Sequence, residues 1–315
     1  MHFSRHSAGR SIAAIGLVVA MTTAAACSSD SKPAASTGSS SGTPAPSGAS
    51  GVDQAAVALL PSNFGPGSTL RNGLEAQQPP FEFVNSAGDL DGVDVELAKA
   101  LAARLGLKIN IDNVNFATLI PAVQSGRYDL STSGFGDNAT REQVVSMIDY
   151  AGEGSSLLVK SGNPQHITST TACGHTVAML GNSNETQVVA PAINAQCTAA
   201  GQPPLQIVES ATSADPVVAV VSGRAEAALM STSTVAWAIQ QQPGQFEMAP
   251  GGSIPPLVSI AIAVPINSPL IPAFLQVLND MKADGSYQAI LDKFGIGSDA
   301  VKTFEVNAAG KAAGN

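Results

Sequence analysis

Gly92-Val93-Asp94-Val95-Glu96-Leu97 opens an alanine- and leucine-rich run that stops at Gly106. Val93, Leu97, Leu101 and Leu105 recur at helical spacing, so the run predicts a helix over 94–105 with one apolar stripe turned to a sheet and Gly106 as its stop. Around it, short β-type runs alternate with amphipathic helical segments, the pattern of an α/β sheet. A strand is expected over 68–72, ahead of the helix. After it come a strand over 108–114, a short helix over 117–125, a strand over 128–131 and a helical run over 139–147.

Ser155 to Lys160 reads as a strand leaving this first set of elements. A second set follows: strands over 175–180, 205–209 and 225–230, alternating with helices over 184–197, 215–222 and 232–241. Val258 to Val264 is apolar and β-branched and reads as a return strand, with helices over 269–283 and 286–294 packing back on the first set. A chain that leaves one lobe and comes back to it crosses twice, which implies a hinge and a cleft between the lobes.

The N-terminus reads as an export signal: Arg5 and Arg10 supply positive charge, and Ile12 to Met21 is an apolar run too short to span a bilayer comfortably. Ala24-Ala25-Ala26-Cys27 then resembles a bacterial lipobox with Cys27 lipidated, although Ala24 stands where leucine is usual. The alternative is an ordinary cleaved signal with Cys27 incidental. Ser28 to Gly51 is almost wholly Ser, Gly, Ala, Pro and Thr, with too little apolar surface to fold. The chain therefore divides into a signal with lipobox (1–27), a disordered tether (28–66), a discontinuous first lobe (67–156 and 259–305), a second lobe (157–258) and a flexible tail (306–315). The folded part is long enough for two lobes of ordinary size.

A net charge of −9 and the absence of a basic cluster argue against a nucleic-acid partner. Of the three cysteines, Cys173 and Cys197 remain as a pair in an oxidising compartment and read as a disulfide. Metal binding is the alternative, but none of the four scattered histidines shares a ligand-type spacing with either cysteine. No metal or cofactor is expected, and the protein is read as a monomer.

Several separated segments occur in one order. Pro79-Pro80-Phe81-Glu82-Phe83 precedes the helix start, and Phe116-Ala117-Thr118-Leu119-Ile120-Pro121 and Arg141 follow it. Met281-Lys282-Ala283-Asp284-Gly285-Ser286-Tyr287 and Lys293-Phe294-Gly295 close the series. Together they resemble the bacterial extracellular solute-binding proteins of family 3, which feed polar amino acids to ABC importers. The resemblance covers about Leu70 to Gly297, with Val93 smaller than the family prefers. It implies a type II periplasmic-binding-protein-like α/β fold, with two lobes joined by a two-stranded hinge and the ligand cleft between them.

The resemblance also implies site residues. Arg141 would grip a ligand α-carboxylate, through two parallel hydrogen bonds from its guanidinium. As a cation in the first turn of a helix it is otherwise on the wrong side of the macrodipole, unless it is a surface arginine paired with Glu142. Gly134 and Gly136, in Ser133-Gly134-Phe135-Gly136, match ligand-lining positions, or else serve a tight turn. Phe116 matches a residue packed on the ligand, with core packing as the competing reading. Gln78 falls where a stacking aromatic is frequent, and Glu75 at an acidic position near the ligand side chain. On the second lobe, Ser183 and Asn184 start a helix whose amides suit a carboxylate, or they simply cap it.

The largest departure is Ser231, where the family usually places an aspartate that pairs with the α-ammonium. Either Glu75, Glu185 or Asp137 takes that role, or the ligand is not an ordinary α-amino acid. The functional expectation is a lipid-anchored, extracytoplasmic binding component of an ABC importer that closes on an amino acid or related small polar carboxylate and presents it to a permease. A ligand-sensing lipoprotein that signals to a membrane receptor or kinase is the alternative. Enzymes resembling cyclohexadienyl dehydratases are a third class, but no histidine falls among the cleft positions, and no catalytic residue is expected.

Overall fold

The computed structural model describes residues 51–312; the export signal, Cys27 and most of the tether lie outside the described residues. In chain order the first elements are α1 (Gln54–Val57), β1 (Thr69–Leu74), β2 (Gln77–Gln78), β3 (Glu82–Val84), β4 (Leu90–Asp91), α2 (Val93–Arg104) and β5 (Lys108–Asn113). A 3-10 turn, Phe116–Thr118, leads into α3 (Leu119–Gln124), followed by β6 (Leu130–Gly136), α4 (Ala139–Glu142) and the long β7 (Val145–Lys160). Next come β8 (Thr176–Leu180), a π turn Glu185–Val189 continuing into α5 (Ala190–Ala199), β9 (Gln206–Ser210), α6 (Asp215–Ser222), β10 (Ala227–Ser231) and α7 (Thr232–Gln241). The chain ends with β11 (Phe246–Met248), β12 (Ile254–Pro265), α8 (Ile271–Ala283), α9 (Ser286–Lys293) and α10 (Ala308–Ala312).

The strands run in the order β5-β1-β6-β12-β7-β10-β8-β9, with β11 on β7. At one end β1 pairs in parallel with β5 and β6; at the other, β8 pairs in parallel with β9 and β10. The two parallel sets are joined by β7 and β12, which lie antiparallel from Val145↔Pro265 to Ser155↔Ile254 with two register shifts. β12 pairs with β6 of the first lobe, while Ser155 to Val159 of β7 pair with β10 of the second. These are the two crossings implied by a chain that leaves a lobe and returns, and the arrangement is the type II two-lobed α/β fold with a two-stranded hinge.

Burial explains the strand pattern. In β7, Ile148 and Tyr150 enter the core under α2, α8 and α9, while Val145 and Met147 enter a separate cluster with Phe116, Leu119 and Phe135. Farther along, Leu157 and Val159 face one second-lobe core and Leu158 the other. A strand covered on both faces has no polar-out alternation, so nearly every residue of β7 is buried. This is also why the expected helical run over 139–147 stops at Glu142: Val145 to Asp149 are all buried and paired with β12. The expected strand over 128–131 extends to Gly136, and the helix over 184–197 begins as a π turn, with α5 carrying Pro191 in its first turn.

The helix that opens the reading behaves as its periodicity predicts: Val93, Leu97, Leu101 and Leu105 are all buried. Gly92 precedes it at φ 122, pressed so closely on the Phe81 carbonyl that a side chain there would collide with backbone. Order extends past the expected ends of the folded part. Asp53 caps α1 by accepting from the Ala55 and Ala56 amides, and Leu60 and Phe64 pack on the first-lobe core, although composition places them in the tether. Asn307, read as tail, exchanges hydrogen bonds with the Met147 backbone, and α10 packs on α4.

Cys173 and Cys197 form a disulfide with their Cα atoms 5.6 Å apart, tying the segment before β8 to the end of α5. Replacing both by alanine frees a loop spanning 24 positions. It should lower the unfolding free energy by ~3 kcal/mol in denaturant titrations; a loss below ~1 kcal/mol would show that packing alone holds this corner.

Candidate functional site

Between the lobes lies a cleft, the usual place for a small-molecule site. Phe116, Gly134, Gly136 and Arg141 line it from the first lobe; Ser183, Asn184, Glu185 and Ser231 face them from the second; Glu153 and Ser155 of β7 form its floor. Direct contacts close it. Glu75 Oε2 accepts from the Ser213 amide (3.1 Å) and hydroxyl (2.6 Å), Asn115 Nδ2 donates to the Ala211 carbonyl (2.9 Å), and the Phe83 and Trp237 rings meet at 5.3 Å.

Arg141 sits at the centre of this closure. Its backbone amide is capped by Asn138 Oδ1, Nη1 donates to the Gly136 carbonyl (2.6 Å) and Nη2 to the Asn182 carbonyl of the second lobe (2.7 Å). The guanidinium lies 5.3 Å from the Phe135 ring centre and 5.8 Å from that of Phe116. Burial lowers its pKa to about 10, against the pull of Glu185 and Asp137, so it remains a cation at neutral pH. Because α4 has only four residues, the dipole conflict expected for Arg141 is slight; carbonyl oxygens hold the charge instead. Two of its five N–H groups are committed, which leaves three for another acceptor.

Both glycines lie within β6 rather than in a tight turn. A side chain on Gly134, at φ 53, would strike the Gln78 amide, and one on Gly136 would meet Asn184 Cβ at 2.8 Å. Their role is close approach. Phe116 packs on Phe135 with ring centres 5.0 Å apart and also lines the cleft. Gln78 reaches across to Ser231 Oγ at 3.4 Å. Ser183 Oγ accepts weakly from the Thr186 amide (3.4 Å), whereas both polar side-chain atoms of the buried Asn184 have no partner. Buried amides are ordinarily satisfied, which sets Asn184 apart from the other polar groups of the cleft wall.

The acids separate. Glu185 lines the cleft and accepts from Ser155 Oγ at 3.0 Å. Glu75 is tied to Ser213 and Asp137 lies under α10, where it accepts from the Ala309 amide; neither lines the cleft. Sequence reasoning passed over Glu153. Its signal was a lone acid in Gly152-Glu153-Gly154 within an apolar stretch. Glu153 Oε1 accepts from the Gly154 amide (2.9 Å) and Oε2 from the Ser233 hydroxyl (2.5 Å); burial raises its pKa to about 7.

Behind Gly134 is a second layer of acids. Asp94 Oδ2 accepts from the Gly134 amide (2.7 Å) and Oδ1 from the Tyr150 hydroxyl (2.5 Å). Ser133 Oγ donates to Glu82 Oε1 and accepts from the Glu75 amide. Burial raises the pKa of Asp94 and, with the adjacent Asp94 charge, that of Glu82.

Comparison with known proteins places this geometry. The sequence model of the bacterial extracellular solute-binding proteins, family 3, matches residues 70–297. The arginine-binding protein ArgT of Corynebacterium glutamicum is 31% identical over 240 residues, 76% of this chain and 78% of the relative. The ABC transporter arginine-binding protein 1 of Escherichia coli is 25% identical, over 70% of this chain and 88% of its own. Among solved structures, an ancestral arginine-binding protein bound to arginine superposes with a TM-score of 0.65 at 28% identity, covering 72% of this chain and 98% of that one. An ancestral amino acid-binding protein described as a precursor of cyclohexadienyl dehydratase gives 0.61 at 25% identity, covering 72% and 95%.

The buried acids set the direction of pH dependence. Burial raises Asp137 to about 8 and Asp149 to about 6, and Glu153 stands at about 7. The folded state therefore holds more protons than the unfolded chain from about pH 4 to about pH 8, so stability falls as pH rises through that window. Asp53, Asp284 and Glu226 are shifted down and are ionised in both states above pH 5, so they do not oppose it. By calorimetry the ligand-free protein should melt at a higher temperature at pH 5 than at pH 8, and Asp137→Asn should flatten the slope. A midpoint that rises with pH would contradict this.

Proposed function

The chain belongs to the bacterial extracellular solute-binding proteins, family 3, and from that premise we propose that its cleft captures an amino acid carrying net positive charge, such as arginine, for an ABC importer. One observation carries the reading: the cleft sets a single cation, Arg141, against two carboxylates, Glu153 and Glu185. With Glu153 ionised, that leaves one negative charge over, the complement of an α-amino acid with a cationic side chain. The names of the arginine-binding relatives support the same ligand class.

In this reading the lobes are 67–156 with 259–305, and 157–258. They close on the solute and present a combined surface to a membrane permease. Arg141 takes the α-carboxylate together with Ser183 and the unpaired Asn184 amide, while Phe116 and Gln78 wall the ligand and Gly134 and Gly136 admit it. Ser231 contributes a hydroxyl, and Glu75 acts indirectly, by holding Ser213 in the closed arrangement. Closure shifts a conformational equilibrium and no bond is broken. A dehydratase reading would need Glu75 as general acid, and its carboxylate is committed to the Ser213 amide and hydroxyl. Lipidation at Cys27 holds the domain at the outer face of the membrane.

Titration calorimetry with L-amino acids tests the function. Arginine, and more weakly other cationic amino acids, should bind, and ligand at 100 times Kd should stabilise the protein by ~2.7 kcal/mol in a thermal melt. Arg141→Lys keeps the charge but loses the fork, and should weaken binding by about 30-fold or more. Alanine is a poorer probe there, because removing a buried bridging arginine also costs stability. Tight binding of acidic amino acids with none of arginine would overturn the charge argument.

A further inference from the structure

We propose that residues 300–310 form a proton-linked strap, which docks on buried carboxyls flanking Arg141 and thereby sets the position of that arginine. Only the binding readout of this proposal rests on the amino-acid reading above.

The strap follows the segment matched by the family model, 70–297. β7 is paired with β12 along one side. On its other side the strap adds antiparallel bridges, Ile148↔Val306 and Ala151↔Ala300. The Asp149 amide donates to the Glu305 carbonyl, and Asn307 exchanges hydrogen bonds with the Met147 backbone. From this hinge strand the strap reaches α4, the four-residue helix that carries Arg141. There the Ala309 amide donates to Asp137 Oδ2 (3.3 Å) and the Gly310 amide to Glu142 Oε2 (2.7 Å). These two acids precede and follow Arg141 in the chain, so the strap holds α4 at both ends.

The carboxyls it lands on make docking depend on protons. Asp137 and Asp149 are only 4% and 3% exposed. Asp137 lies within hydrogen-bonding reach of Asp149 on β7 and of Glu142 on α4. Asp137 Oδ1, Asp149 Oδ1 and Glu142 Oε1 are all buried with no donor among the described residues. An ionised carboxylate only accepts, so carboxyls in contact can bond to each other only when one carries a proton. The surrounding charges do not remove that need. Glu305 of the strap adds another negative charge beside Asp149, and β12 offers the uncharged Ser259. Arg141 attracts Asp137, but its guanidinium is engaged by the Gly136 and Asn182 carbonyls, and Lys311 of α10 is exposed. Among the described residues no group of three such side chains is placed to hold a metal ion.

The sign of the linkage follows. With the strap released, these acids face water and ionise in the ordinary carboxylate range, about pH 4. With it docked, burial and like charge raise Asp137 to about 8 and Asp149 to about 6. The docked form therefore holds more protons across that window, and docking weakens as pH rises through it. Release leaves α4 with the Asn138 cap alone and frees Arg141 to shift.

Amide exchange followed by mass spectrometry on the purified full chain reads the strap directly, with α2 as internal reference. Corrected for intrinsic rates, the amides of 305–310 should be about tenfold or more better protected at pH 5.5 than at pH 8. Asp137→Asn, an uncharged acceptor of the same shape, should keep that protection at pH 8. Gly310→Pro deletes the donor to Glu142 and should lose protection at both pH values. Calorimetry with arginine reads the consequence. At pH 8 Asp137→Asn should bind about threefold or more tightly than wild type, a gap that closes at pH 5.5, and Gly310→Pro should weaken binding at pH 5.5. Protection that does not vary with pH, that varies equally in α2, or that keeps its pH trend in Asp137→Asn would overturn the proton link. Loss of protection in Gly310→Pro with unchanged arginine affinity would overturn the positioning role. Wild type that binds no amino acid at either pH would overturn the parent reading instead, and exchange would still decide the strap.

Discussion

The carboxylate of Asp94 is the interaction on which the rest of the site depends. It lies at the start of α2, fully buried, and accepts hydrogen bonds from the Gly134 amide of β6 and the Tyr150 hydroxyl of β7. One acid therefore joins the helix, the strand that walls the cleft and the strand that becomes the hinge. An unpaired buried carboxylate would be strongly destabilising, so the neighbouring residues serve as its environment. Gly92 permits the tight entry into α2, and Glu82 lies beside Asp94 with Ser133 as its own hydrogen-bond partner. Tyr150 is fixed from its other side by Tyr287, whose hydroxyl donates to the Tyr150 carbonyl. The helices at the end of the chain thus buttress a cleft wall formed near its beginning.

In front of this layer the cleft is built from charge that the protein only partly neutralises. Arg141 is held by two carbonyls and two aromatic faces, and its contact to Asn182 bridges the lobes. Glu75 makes the matching bridge at the other side through Ser213. Alongside these direct latches, the Asn184 amide has no partner among the described residues. The latches join the lobes directly, and buried polar groups without a partner are costly. A ligand that satisfies them shifts the balance toward closure. Binding and domain motion are therefore one equilibrium, and the two shared strands are its axis.

Much of the fold was legible in one dimension. Helical periodicity located α2 because Val93, Leu97, Leu101 and Leu105 share one face and α2 is exposed on the other. The α6 limits, 215–222, agree with the expected helix because Gly223 ends it in a left-handed turn. Reading failed where burial on both faces erases periodicity: β7 was split into a false helical run and a short strand, although Val145–Lys160 is continuous. It failed at the chain ends too, because composition does not reveal that Leu60, Phe64 and Asn307 find partners far away in sequence.

The sequence by itself determined the two-lobed plan and the Cys173–Cys197 pairing through local periodicity and spacing, and its ordered motifs carried the family and, through the family resemblance, eight of the residues that line the cleft. It also exposed the missing charge at Ser231. Only the tertiary structure decided which acids occupy the cleft. Asp137 turned under α10, Glu75 became a latch, and Glu153 came to the floor of the site. Whether a carboxylate meets a ligand or a neighbouring amide depends on strand register and on groups brought together over long separations, and one-dimensional order carries neither.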